Sequence, residues 1–336
     1  MPVSIYAGFA GDTDDGRFCS AGLFRMRNAG GWERLDGKFA SPPEVRAIMT
    51  DPDRPGRVTI GTETGVLRSE DDGEHWQALP APKPGLAVWS LLRHPSDKDT
   101  IYAGYEPAAI HRSRDDGASW ESLPLAQSYP DVTAGPEMPK RITGIALDPA
   151  KPIEIYGSIE IGGLLRSLDD GKSWHAAIDG VYVVEDSVDL HAVIVSPAHP
   201  GEVTITTRVG SFRSYDKGEH WKKLAVPPLR DKGSYCRALA FAPGQAEKLY
   251  IGAGNDFDAD KGALFVSNDN GASFQAVALP GPLKSTVFAI ATNPRHPQHL
   301  YCATKNGGVF GSDDQGSTWR YMPLPLGGHV FALALG

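Results

Sequence analysis

Short apolar runs of four kinds follow one another along the chain in a fixed order. In the first kind, Thr286-Val287-Phe288-Ala289-Ile290-Ala291, apolar and small residues alternate and an Asn293-Pro294 turn follows; the same pattern stands from Glu44 to Pro52 and from Arg141 to Pro149. The second kind, Ile101-Tyr102-Ala103-Gly104 or Leu249-Tyr250-Ile251-Gly252, joins β-branched and aromatic residues that favour a pleated, half-buried surface. The third, Val66-Leu67-Arg68-Ser69 or Leu164-Leu165-Arg166-Ser167, runs into a tight turn, and the fourth starts at the aromatic residue that leaves it. Those aromatics, Trp32, Trp76, Trp120, Trp174, Trp221, Phe274 and Trp319, stand 44, 44, 54, 47, 53 and 45 residues apart. Four strands at that period make one propeller blade, so the pattern predicts an all-β, seven-bladed β-propeller of four-stranded antiparallel blades, with residues 1–336 as a single domain.

The ends of the pattern predict how the ring closes. The chain begins on a strand of the second kind, Val3-Ser4-Ile5-Tyr6-Ala7-Gly8, and finishes on one of the first kind, His329-Val330-Phe331-Ala332-Leu333-Ala334. Pairing them completes one blade and removes both sheet edges.

Between the third and fourth strands stands Ser-x-Asp-x-Gly-x-x-Trp, at Ser69 to Trp76, Ser113 to Trp120, Ser167 to Trp174, Ser214 to Trp221 and Ser312 to Trp319. A sixth copy, Ser267 to Phe274, ends in Phe, and a seventh, Phe24-Arg25 to Trp32, lacks the Ser and Asp. Ser and Asp oxygens accept hydrogen bonds from the amides of a tight turn, Gly tolerates positive φ, and the aromatic packs back on the hairpin. These repeats resemble the Asp-box (BNR) superfamily, which includes sialidases, xyloglucanases, sortilin-type receptor propellers and photosystem II assembly factors. The resemblance covers nearly the whole chain and implies a propeller whose boxes face away from the ligand side, so the boxes specify fold and not chemistry.

Charge and cysteine content then narrow the function classes. Lys+Arg 33 against Asp+Glu 41 gives a net charge of −8, with no basic field for nucleic acid or an anionic membrane. The N-terminus, MPVSIYAGFAGDTDDG, has neither a basic segment nor an apolar core of the secretory kind, and no run reaches the roughly 18 apolar residues of a membrane span; the expectation is a cytoplasmic protein. Cys19, Cys236 and Cys302 lie in different repeats without CxxC spacing, as buried free thiols would.

Candidate chemistry sits where the first-kind strands begin. Aligned on one another, their second positions are apolar (Val45, Val88, Ile142, Leu190, Cys236, Val287 and Val330), as packing between blades requires. Their first positions are Glu44, Ala87, Arg141, Asp189, Tyr235, Thr286 and His329, and their third positions are Arg46, Trp89, Thr143, His191, Arg237, Phe288 and Phe331. Alternation puts first and third positions on one side, at the channel mouth. Loops after the second strands add Glu63, Glu106, Glu160, Arg208, Asn255, Asp256, Lys305 and Asn306, and Asp12, Asp14 and Asp15 come from the first repeat.

Aromatic rings interleaved with charges suit a small anionic or sugar-like ligand, with Arg46, Trp89, Arg141, Arg208, Tyr235, Arg237, Phe288 and His329 as binding residues. Asp189 and His191 are placed to act as a base with its orienting carboxylate, and Glu44 or Glu160 as an acid. The leading expectation is hydrolase or lyase chemistry on such a molecule; the alternative is a non-catalytic assembly scaffold whose mouth arginines hold a protein or peptide. The sialidase resemblance implies three substrate arginines, for which Arg46, Arg141 and Arg237 are the counterparts here, but the Phe-Arg-Ile-Pro motif is absent. No cofactor is required, and a divalent metal at His191 and His329 is the weaker option, since imidazoles on different blades follow no ligand-spacing rule.

Overall fold

The computed structural model describes residues 3–11, 21–28, 30–125, 139–178, 188–281 and 283–336. Cys19 and the acidic group Asp12, Asp14 and Asp15 lie outside the described residues. The described residues form seven four-stranded antiparallel sheets, each strand joined to the next in sequence, which is the propeller the repeats predict. Their one helical element is a short 3-10 turn at Asp36–Lys38, and none of their helices is long and apolar enough to cross a membrane.

Blade 1 holds Ser4–Phe9, Gly22–Arg27 and Trp32–Arg34, with Val330–Leu335 added as its inner strand. The closing register pairs Ile5 with Leu335 and Tyr6 with Ala334, and Ser4 and Gly336 exchange backbone bonds of 3.2 and 2.8 Å. The inner strands of blades 2 to 7 are Ala47–Thr50, Ala87–Arg93, Ile142–Asp148, Leu190–Val195, Tyr235–Ala242 and Val287–Thr292. Each presents its apolar second position to the preceding blade. A Cβ on Gly61 would lie 2.7 Å from Val88 Cγ1, so a glycine in one blade's second strand makes room for the next blade's inner strand.

A feature absent from simple alternation decides where the third positions point. In six blades the ladder skips one residue at the top of the inner strand: Trp89, Thr143, His191, Arg237, Phe288 and Phe331 have no partner across the strand pair. These are β-bulges, which free a side chain from the pleat and re-aim it. In blade 2 the ladder begins at Ala47, one residue after Arg46.

The boxes fold as their residue types dictate. In the first, Ser69 Oγ accepts the Gly73 N–H at 2.8 Å and donates to Asp71 Oδ1 at 2.9 Å, and the same oxygen of Asp71 accepts the His75 N–H at 2.9 Å. Trp174 is buried and donates its indole N–H to the Gly171 carbonyl at 3.1 Å; the other box aromatics are half-buried.

The third strands add a clasp between blades. Arg25, Arg68, Arg112, Arg166 and Arg213, all buried, each reach the carbonyl at the tip of the next blade's box, at Asp72, Asp116, Asp170, Lys217 and Asn270. Arg112, for example, donates 3.1 Å to the Asp170 carbonyl and 2.6 Å to its carboxylate, and 2.7 Å to Glu121. Blades 6 and 7 carry Val266 and Gly311 at the same place. Between blades 6 and 7 Lys248 of the second strand takes over, donating to the Gln315 carbonyl at 2.9 Å.

Cys236 and Cys302 are buried free thiols, and burial pushes Cys236 up to about 12, so neither is a nucleophile near neutral pH. His299 is largely covered and lies 2.6 Å from Asp313 through Nδ1.

Candidate functional site

The seven third positions meet in one place. Arg46, Trp89, Thr143, His191, Arg237, Phe288 and Phe331 line a cavity of about 210 Å³ at the centre of the ring. Six of them are placed by bulges, each of which turns a single side chain inward from a different blade, and Arg46 lies just before the blade 2 ladder begins.

Cations and rings alternate across the cavity. Trp89 carries two guanidinium groups, Arg46 at 4.8 Å and Arg141 at 4.1 Å from the ring centroid. Its edge meets Phe331 at 5.9 Å, and Phe331 meets Phe288 at 5.4 Å. Arg237 lies over Phe288 at 4.6 Å and over Phe331 at 5.9 Å. Such contacts hold a guanidinium in place with its N–H groups unspent.

The three arginines differ in their anionic partners. Arg46 is paired with Glu44, whose backbone N–H is accepted by Glu63 at 2.9 Å. Arg141 contacts Glu160 and lies 3.5 Å from Glu106. Arg237 makes no ion pair among the described residues. The three arginines therefore divide: two are paired with glutamates beside Trp89, and the third stands between phenylalanines without an ion pair among the described residues.

Asp189 and His191 form the second cluster. The His191 side chain is fully buried, its Nδ1 is 2.7 Å from the Cys236 carbonyl oxygen, and its ring lies 4.5 Å from that of Tyr235. A carbonyl only accepts, so Nδ1 carries a proton and donates, which leaves Nε2 facing Asp189, as a donor in the imidazolium or as a lone pair in the neutral ring. That nitrogen is 3.7 Å from Asp189 Oδ2, and Arg208 Nε is 3.9 Å from the same oxygen. Burial acts to raise Asp189, but His191, Arg237 and Arg208 outweigh it and hold the carboxyl below its usual value. Burial pushes the Tyr235 phenol far up, so it stays protonated. Glu160 joins the pair: one ligand atom each from Glu160, Asp189 and His191 lie within 4.8 Å of one another.

His329 belongs to neither cluster. It faces Phe257 at 6.2 Å between ring centroids and is not grouped with His191, so the His191/His329 metal pairing is not the arrangement found; the atoms that gather around His191 are carboxylates. Burial, reinforced by the charge of Lys305, lowers His329 and keeps it neutral at neutral pH. Lys305 is itself buried, with Nζ 3.4 Å from the Phe257 centroid and paired with Asp258.

Across residues 31–325 the sequence matches the family model described as photosynthesis system II assembly factor YCF48. The chain belongs to the YCF48 family. Beyond that model, a YCF48-family propeller shares local similarity with longer proteins. A probable oligoxyloglucan-reducing end-specific xyloglucanase of Neosartorya fischeri is 32% identical over 139 residues, 39% of this chain and 17% of the fungal protein. The Emericella nidulans oligoxyloglucan-reducing end-specific xyloglucanase is 28% identical over 164 residues, covering 43% and 20%. The chain therefore spans about a fifth of the length of these relatives. Among solved structures, the GH74 enzyme of Niastella koreensis superposes with a TM-score of 0.67 at 15% identity, over 83% of this chain and 45% of the enzyme. YCF48 bound to a D1 peptide superposes with a TM-score of 0.57 at 18% identity, over 94% and 92% of the two chains. These superpositions establish the shared propeller.

Of this YCF48-family mouth, the aligned strand positions reveal the residues that line the cavity, whereas Phe257, Asp258 and the burial of Lys305 escape them. Phe257 stands in an Asn255-to-Lys261 loop of polar residues, and an aromatic in such a loop is the one signal that marks it. Lys305 sits in a turn whose sequence gives no sign that its stem is enclosed.

Proposed function

We propose that this YCF48-family propeller is a binding protein whose channel mouth holds a carboxylate-bearing segment of a partner polypeptide. The observation that carries the reading is Arg237, a guanidinium held between Phe288 and Phe331 in the cavity without an ion pair among the described residues. A carboxylate accepts two parallel N–H bonds from such a group, and the flanking rings cover the apolar part of a peptide. The YCF48 structure that superposes over nearly the full length of both chains is of a D1 peptide complex, which supports a polypeptide ligand.

The charge pattern weighs against acid catalysis. Glu44 and Glu160 each face an arginine, and Asp189 is held low, whereas a glycoside hydrolase needs one carboxyl raised to protonate the leaving group. A sugar-like ligand is the second reading, favoured by the 32% identity with a xyloglucanase over 139 residues.

Isothermal titration of acidic peptides, their amidated neutral counterparts and xyloglucan oligosaccharides separates the two. Acidic peptides are expected to bind, with an affinity that falls as salt rises. Arg237→Ala is expected to weaken that binding by roughly 1.5 to 3 kcal/mol, the worth of a hydrogen bond to a charged group, and Arg237→Lys to recover part of it. An unchanged affinity in Arg237→Ala for every anion that binds the parent protein would sink the reading, and hydrolysis of an oligosaccharide would replace it.

A further inference from the structure

We infer that Glu160, Asp189 and His191 form a site for one borderline divalent transition cation, of which Zn²⁺ is the type. The argument starts at the imidazole. His191 commits Nδ1 to the Cys236 carbonyl at 2.7 Å, which leaves Nε2 as the one ring nitrogen it can offer the cluster. That nitrogen is buried and has no hydrogen-bond partner, and the same is true of Asp189 Oδ1, while Glu160 Oε2 rests against Arg141 Nε.

One ligand atom from each of the three residues lies within 4.8 Å of the others, a spacing that a single cation can draw into one coordination shell. A backbone carbonyl accepting the far N–H of a ligating histidine is the outer support that metal sites use to fix the ring. Arg141 touches Glu160 and Arg208 lies 3.9 Å from Asp189, so each carboxylate also sees a guanidinium. These cations moderate the affinity: a metal ion here takes Glu160 Oε2 over from Arg141, whereas Asp189 Oδ1 has no hydrogen-bond partner to displace.

The donor set selects the ion. One imidazole with two carboxylates suits Zn²⁺, Co²⁺ or Mn²⁺, whereas Mg²⁺ and Ca²⁺ prefer oxygen alone. His191 also lines the central cavity, which gives the ion an entry path and leaves its remaining coordination positions for water or a ligand. This site is independent of the peptide reading, because its test needs no peptide.

The full chain, stripped with EDTA and dialysed, is titrated with ZnSO₄ by calorimetry and with CoCl₂ by visible absorption near pH 7.5, with melting followed in parallel. One saturable site per chain is expected, with a higher melting temperature in Zn²⁺, and MgCl₂ should neither bind there nor compete. Glu160→Gln and His191→Gln should each weaken that site by about tenfold or more, while His299→Ala, which removes a surface imidazole beside His296 and Asp313, should leave it intact. Glu160→Gln keeps the side-chain volume, so its melting curve without metal checks that the fold survives. No saturable site in the parent chain, equal uptake of Mg²⁺, or undiminished Zn²⁺ binding in Glu160→Gln would overturn the assignment. So would a doubly protonated His191 in ¹⁵N spectra that persists when Zn²⁺ is added, since the cluster would then be a plain ion pair.

Discussion

Asp169 shows how much one side chain of a box accomplishes. Its carboxylate accepts the Ser173 hydroxyl at 2.7 Å, the Ser173 N–H at 2.9 Å and the Ser167 hydroxyl at 2.9 Å, and the Ser173 hydroxyl first among these holds it down to about 2. Asp269 and Asp314 are bound in the same way and are also held to about 2. A carboxyl whose folded value lies below its unfolded value, about 3.9, contributes stability above that value and loses it as pH falls toward the folded one. The melting temperature is therefore expected to fall between pH 4 and pH 2, and Asp169→Asn, less stable at neutral pH, should show a shallower fall. A calorimetric series across that range in which the two proteins decline in parallel would contradict this role. Much of the box was legible in the sequence, because Ser, Asp and Gly have few other reasons to recur at that spacing. What spacing could not show is that the residue before the Gly also takes positive φ, as Asp72 at 61° and Asp170 at 64° do. Nothing in an aspartate's side chain announces that its carbonyl is needed by the neighbouring blade.

Between elements, the clasping arginines and the inner-strand bulges account for what strand patterns leave out. The Arg-Ser pair ending the third strands reads as part of an amphipathic strand, and only the fold brings the guanidinium under the next blade's turn. Arg112→Met keeps the length and apolar stem but removes bonds to Asp170 and Glu121, so urea unfolding should show a loss of roughly 1.5 to 3 kcal/mol, as for hydrogen bonds involving a charged group. Val266→Met at the matching place in blade 6, where the clasping bond comes from Lys248 and not from the third strand, should lack that loss of hydrogen bonds; an equal effect at both places would mean that packing and not clasping is being measured. The bulges were hidden for a different reason. A bulge is defined by a count of residues on two paired strands, and alternation along one strand carries no such count. Alternation nonetheless placed His191, Arg237 and Phe288 on the right side, since the apolar second position before each is fixed by packing between blades.

At the scale of the whole molecule the ring is held closed by a strand that comes from the far end of the chain. Removing residues 329–336 would take the inner strand from blade 1, expose the edge of Ser4–Phe9 and abolish the bond that Ala10 N–H makes to the His329 carbonyl at 3.1 Å. The truncated protein is expected to lose its cooperative melt and to elute as aggregate in size-exclusion chromatography; a monomeric, cooperatively melting truncation would rule this closure out. Ring and closure could both be read from the repeat, because every blade must solve the same packing problem. The site could be read only in outline, since which arginine keeps its charge depends on loops whose lengths differ from blade to blade. The bulges carry one more implication. Six of the side chains facing the cavity occupy places that the hydrogen-bonded ladder does not use, so their identities are weakly coupled to the register of the strands. The ring thus works as a frame with interchangeable inserts: a Phe288 or a Phe331 can be exchanged, and the chemistry of the opening rewritten, while the surrounding sheets keep the same sequence and the same alignment.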